Sequence, residues 1–110
     1  MRNELIPDEA VEQAFDWLRD HAEHCAEARA HRIYLEEYRK SLKAKIMKEH
    51  ADLALGAQER EAYASPRYVE HLEGLKIAVL NDERFRFLRE ANLAKIEAWR
   101  TAAANRRAQI

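Results

Sequence analysis

The sequence predicts an all-α protein: two long helices in an antiparallel, coiled-coil-like hairpin that completes a four-helix bundle by dimerisation. Three observations lead there. Between Pro7 and Gly56 lie 48 residues, Asp8 to Leu55, with no proline and no glycine, and the 110-residue chain holds only two of each, the others being Pro66 and Gly74. The chain is 47% hydrophobic and 35% charged, a mix that with helical periodicity marks long or coiled helices. Its charges fall in blocks of alternating sign along the chain.

Residues 1–6 read as a short lead-in. Pro7 followed by Asp8 and Glu9 starts the first helix, since proline suits the first turn and acids favour its positive end. Val11, Ala14, Phe15, Leu18, Ala22 and Cys25 then follow a helical stripe, which thins at Ala26, Ala28 and Ala30 and resumes with Ile33, Leu35, Tyr38, Leu42 and Ile46. The helix is expected over 8–54, roughly 70 Å at about 1.5 Å per residue, with Gly56 as its C-cap. Residues 55–65 read as an elbow holding a short helical turn. Ser65-Pro66 signals a new start, serine as N-cap and proline as first residue. The second helix is expected over 66–104, leaving 105–110 as a frayed tail. Its stripe reads Val69, Leu72, Leu75, Val79, Leu80, Phe87, Leu88, Ala91, Ala94 and Ala98, with a second row of Phe85, Leu88, Ile96 and Trp99. Gly74 breaks the pattern at about 1 kcal/mol relative to alanine, and close packing of a neighbour is the favoured reason.

The charge blocks select a pairing. Residues 1–27 hold eight acids and two bases, and 28–48 hold seven bases and two acids; 56–83 hold six acids and three bases, and 84–110 hold seven bases and two acids. Folding at the elbow sets residue 20 near 98 and residue 40 near 78, so every facing block is opposite in sign. Single exposed pairs contribute little, but a blockwise pattern chooses orientation and register. The same pattern would serve helices paired between chains. The apolar faces are wider than a two-helix seam needs, and a second copy is the simplest cover. The residues assigned to the core and dimer face are Phe15, Leu18, Leu42, Ile46, Leu72, Leu80, Phe87, Leu88 and Trp99.

Bulk properties narrow the function. One domain is expected at this length. Net charge is −1, so no global basicity points to nucleic acid. The single cysteine, Cys25, excludes an intrachain disulfide and fits a reducing compartment. No apolar run approaches the ~20 residues of a membrane span, and the residues before Pro7 lack a signal-peptide core. A cytoplasmic protein with no membrane partner is expected.

Reactive constellations are weak. His21, His24 and Cys25 are residue types that zinc accepts, yet Cys25 continues the apolar stripe, and Asp20/His24 and Glu27/His31 read as i,i+4 surface pairs. His50 and His71 flank the elbow without clear companions. No glycine-rich phosphate loop or nucleophile elbow occurs. The expectation is therefore no enzymatic activity, no metal and no cofactor. Basic residues form the more serious site. Lys40 and Lys43 on the first helix, with Arg86, Arg89, Arg100, Arg106 and Arg107 on the second, would contact nucleic acid if the acidic blocks leave them free, and Tyr63, Tyr68, Phe85 or Trp99 could stack bases.

Three stretches carry a resemblance: Tyr34-Leu35-Glu36-Glu37-Tyr38-Arg39-Lys40, Tyr63-Ala64-Ser65-Pro66-Arg67-Tyr68, and Arg86-Phe87-Leu88-Arg89-Glu90-Ala91 followed by Lys95-Ile96-Glu97-Ala98-Trp99-Arg100-Thr101. Together they resemble a small uncharacterised helical family of tailed phages and prophages of proteobacteria. The resemblance implies an accessory role in phage replication or recombination, in the cytoplasm of a bacterial host, and supplies no catalytic residues. The function expected is thus a non-enzymatic accessory or adaptor acting through protein–protein contacts as a homodimer. A DNA-binding accessory using the basic C-terminal segment is the alternative, and a virion assembly or scaffold component is a third.

Overall fold

The structure, a computed structural model, describes residues 6–109. These form three α-helices and, among the described residues, no strand: α1 over Asp8–Glu49, α2 over Leu55–Ala64 and α3 over Pro66–Ala108. The lead-in before Ile6 and the final Ile110 lie outside the described residues.

Local chemistry accounts for the helix starts. The Pro7 carbonyl accepts the first helical bonds, from Ala10 N–H at 3.0 Å and Val11 N–H at 3.3 Å. Asp8 and Glu9 occupy the first turn of α1 and Lys48 its last, each complementing the helix dipole. Ser65 closes α2 and opens α3. Its N–H donates to the Ala62 carbonyl, and its own carbonyl accepts from Tyr68 and Val69. Its Oγ accepts from Arg67 N–H at 3.3 Å, which satisfies an otherwise orphaned amide of the first turn.

The ends differ from the sequence reading. α1 stops at Glu49, not at 54, and Gly56 is no C-cap: it lies in the first turn of α2, and no described residue has a positive φ. Two successive turns, His50 N–H to Met47 O and Leu53 N–H to His50 O, carry the chain to Ala54, and Gln58 Nε2 donates to the Leu53 carbonyl at 2.8 Å. The reason is tertiary. Breaking the helix early lets α2 bring Ala62, which is fully buried, against Leu42, Ile46 and Tyr68, and such burial outweighs the local preference for a longer helix. The elbow of 55–65 is therefore mostly a ten-residue helix. At the far end α3 continues to Ala108, so residues 105–108 of the expected frayed tail are helical.

The chain divides into two compact units. One is Glu27–Glu83, and the other joins the described residues up to Ala26 with those from Arg84 onward. The covered positions on α1 include an unbroken run at alternating steps of three and four: Val11, Ala14, Leu18, His21, Cys25, Ala28, Arg32, Leu35, Arg39, Leu42 and Ile46, all buried or half-buried. On α3 the same spacing links Tyr68, His71, Leu75, Ala78, Asp82, Phe85, Arg89, Asn92, Ile96 and Trp99. Covered positions thus recur with a seven-residue repeat on both helices. On α3 it differs from the expected stripe, because Val69, Leu72, Leu80, Phe87 and Leu88 are exposed while the second row of Phe85, Ile96 and Trp99 is half-buried.

Within Glu27–Glu83 the core is Leu42, Ile46, Ala62 and Tyr68, with Tyr38 and Met47 packed on it. His71 reaches α1, its Nε2 donating to the Leu35 carbonyl at 2.7 Å and its ring 5.5 Å from that of Tyr38. Arg67 Nη1 donates to both carboxylate oxygens of Glu49, at 2.9 and 2.8 Å. In the other unit Val11, Ala14 and Asn92 are buried. There Trp99 Nε1 donates to Asp8 Oδ1 at 2.9 Å, and the His24 and Phe85 rings stack at 6.3 Å. The expected levels are displaced accordingly. Asp8, rather than residue 20, reaches Trp99, and Tyr38 reaches His71. A Cβ on Gly74 would meet nothing within 4 Å, so close approach within the chain does not explain that glycine.

Candidate interaction surface

The residues assigned to an apolar face separate into three groups. Leu42 and Ile46 are buried. Leu18 and Trp99 are half-buried on the covered runs of α1 and α3. Phe15, Leu72, Leu80, Phe87 and Leu88 face solvent, so they are no part of the chain's own core. The physical reason lies in α3, whose covered run spends His71, Ala78, Asp82, Arg89 and Asn92 on contacts within the chain. Polar and small side chains occupy the seam, and several of the largest apolar ones are left outside it.

Each unit thus leaves large apolar groups of α3 in water. In Glu27–Glu83 these are Val69, Leu72, Ile77 (66% exposed) and Leu80 (59%). In the other unit they are Phe87 (60%), Leu88 and Leu93. The Arg86 guanidinium lies 4.6 Å over the Phe87 ring without removing it from solvent. Fully burying such a side chain is worth about 1.5–3 kcal/mol, so these groups are a reservoir of association energy that the described fold does not use.

Of the seven basic residues assigned to nucleic-acid contact, four are engaged in ion pairs. Lys40 pairs with Glu37 at 3.2 Å, Arg86 with Glu90 at 2.9 Å and Arg100 with Glu97 at 3.2 Å, each within one helix. Lys43 is half-buried, 3.8 Å from Glu59 of α2, with its ammonium 4.7 Å from the Tyr63 ring centre. A hydrogen bond to Tyr63 raises the Lys43 pKa above the ordinary lysine value; burial opposes that rise and Glu59 adds to it. Arg89 is half-buried on the covered run of α3. Arg106 and Arg107 are exposed in the last turn of α3, and no ion pair among the described residues holds either. Beside them runs an open groove of about 430 Å³ lined by residues that include Trp99, Arg100, Thr101, Ala104 and Arg107.

A polar cluster that periodicity in apolar residues could not reveal sits inside Glu27–Glu83. Arg32 Nε donates to Glu36 Oε1 at 2.9 Å, and Nη1 donates to Asp82 Oδ2 at 3.1 Å and Glu83 Oε1 at 3.4 Å. These bonds, first to Glu36 and then to Asp82, push the guanidinium pKa further up. The seven-residue spacing from Val11 through Arg32 to Ile46 was the signal that could have exposed it, had charged residues been allowed on the stripe.

The histidine cluster is organised around rings. His21 stacks on Trp17 at 4.4 Å and donates from Nδ1 to the Trp17 carbonyl, while His24 stacks on Phe85. Cys25 is a half-buried free thiol. Among the described residues no group of three or more His, Cys, Asp or Glu is placed to hold a metal ion, and no helix is long and apolar enough to cross a membrane. No protein-family model, no curated protein and no solved structure matches this chain.

Proposed function

We propose that this chain is a non-enzymatic accessory or adaptor protein that works through protein–protein contacts of its helix faces. Its first partner is a second copy of itself, the long helices pairing antiparallel as a hairpin and two hairpins completing a four-helix bundle. The observation that carries the reading is the set of large apolar side chains that α3 leaves in solvent in each unit, foremost Leu80 and Phe87. Solvent-facing apolar groups of this size are the usual mark of an interaction surface, and a chain of 110 residues gains by covering them in an oligomer. The resemblance to the phage family adds a setting, phage DNA metabolism in a bacterial host, in which the adaptor's further partner would be sought.

Sedimentation velocity across a hundredfold concentration range tests this. The unaltered chain should sediment as a dimer, and Leu80→Glu with Phe87→Glu should leave a folded monomer of unchanged helicity. A monomer at every concentration for the unaltered chain rejects the reading. The second reading, a DNA-binding accessory using Lys40, Lys43, Arg86, Arg89, Arg100, Arg106 and Arg107, is favoured by the exposed Arg106–Arg107 pair beside Trp99. It requires affinity for labelled DNA that falls steeply between about 50 and 200 mM salt. Absence of binding at the lower salt rejects it.

A further inference from the structure

We propose that the Arg32–Asp82–Glu83 cluster is an alignment lock: it selects the one longitudinal setting of α3 against α1 within Glu27–Glu83. The geometry points there on three counts. Arg32 lies on the covered seven-residue run of α1 and Asp82 on that of α3, so both charges occupy positions that a coiled coil normally fills with apolar groups. The contact is specific, since one guanidinium nitrogen reaches Asp82 at 3.1 Å and Glu83 at 3.4 Å while Nε is held by Glu36. Asp82 is well covered, its side chain 16% exposed, and Arg32 is 31% exposed.

Charges so placed are poor stabilisers compared with packed apolar side chains, because desolvation offsets their attraction. What they change is the energy of the wrong alignments. A slide of seven residues keeps one covered run against the other with the same layering. In one direction it sets Arg32 beside Leu75, in the other beside Arg89. The first strands Arg32 beside Leu75 and Asp82 beside Cys25; the second gives Asp82 a new partner in Arg39 but brings the Arg32 and Arg89 guanidinium groups together. By the same spacing Ala78 takes Leu35 in the observed setting and Leu42 in the second, so that apolar position discriminates little between those two. A polar pair at a seam position that fixes register at some loss of stability is the best-attested use of such a pair.

The test replaces both charges, Arg32→Leu with Asp82→Leu, in the full chain. Amide NMR spectra are recorded at two concentrations beside a thermal melt. The lock predicts an unchanged or higher Tm together with doubled or broadened cross-peaks over 27–49 and 66–83 that persist on dilution. One sharp set of cross-peaks overturns it, because the Leu42/Ile46/Ala62/Tyr68 core would then set the alignment unaided. Doubling that disappears on dilution also overturns it, as association rather than sliding. Should the double leucine chain not fold, Asp82→Asn with Glu83→Gln keeps the shapes, removes the two acidic charges that Arg32 faces on α3, and is read by cross-peak doubling and its persistence on dilution.

Discussion

The two units bury the same three-and-four pattern with different materials. In Glu27–Glu83 the pattern ends in a true apolar core of Leu42, Ile46, Ala62 and Tyr68, supplied by all three helices. Contacts reach from α1 to α3 through Arg32 and Glu49 and from α1 to α2 through Lys43. In the unit of the chain's outer stretches the buried groups are Val11, Ala14 and Asn92. Contact between the helices there includes ring stacking of His24 on Phe85 and one indole hydrogen bond to Asp8. The ion pairs of Arg19 with Asp16 and Asp20, and of Arg100 with Glu97, stay within one helix. A third helix makes the difference: α2 turns a two-sided seam into an enclosed core, and enclosure is what gives burial its energy.

The largest effect should come from that core. Ile46→Ala is expected to destabilise by about 3 kcal/mol, within the ~2–5 kcal/mol of such deletions. Val11→Ala in the other unit should lose only ~1.5 kcal/mol, at ~0.8 kcal/mol for each methylene-sized group. Urea unfolding of both variants measures this, and equal losses would break the comparison. Ser65→Ala removes the cap at the junction of α2 and α3, and a loss of about 1 kcal/mol is expected in the same assay. Gly74→Ala should stabilise by up to about 1 kcal/mol, since a helical glycine there faces open space within the chain. A loss instead would mean that a second copy packs against Gly74, which would sharpen the proposed dimer.

The smallest effect is a pH dependence. The Lys43 pKa is raised in the folded chain, chiefly by its bond to Tyr63. Its contribution is therefore fully present below the ordinary lysine value of 10.5 and is lost as pH rises through the folded value. Lys43→Met should remove that alkaline loss from a melting series taken above neutral pH. An unchanged alkaline slope in the variant would assign the dependence to another group.

Much of the fold was legible in local signals. The proline- and glycine-free run from Asp8 does form a long helix, and Ser65-Pro66 does open α3, because caps and propensities act within a few residues. The end of α1 was not legible. Residues 50–54 carry no strong breaker, and Gly56 was a misleading one. The chain turns there for the sake of Ala62, whose burial depends on Ile46 and Tyr68 elsewhere in the sequence. The face of α3 was misread for a related reason. Counting apolar residues selects Leu72, Leu80, Phe87 and Leu88, but His71, Asp82 and Asn92 find partners in the fold and take the covered positions. Asn92 donates to the Leu88 carbonyl and His71 to that of Leu35, and a bonded polar group can sit where an unbonded one could not. The basic residues were identifiable by type. For the seven assigned to nucleic-acid contact, engagement depended on acids three or four residues away, or on α2, and of those seven Arg106 and Arg107 are left exposed without an ion pair among the described residues.

Cys25 is the chain's one cysteine, and it lies half-buried on the covered run of α1. Thiol chemistry on this protein is therefore a single-channel clock. A reagent's rate against Cys25, divided by its rate against a free thiol, measures how often that stretch of α1 becomes uncovered. The unmodified chain already carries the reporter for its own breathing, with no label introduced and no second thiol to confuse the signal.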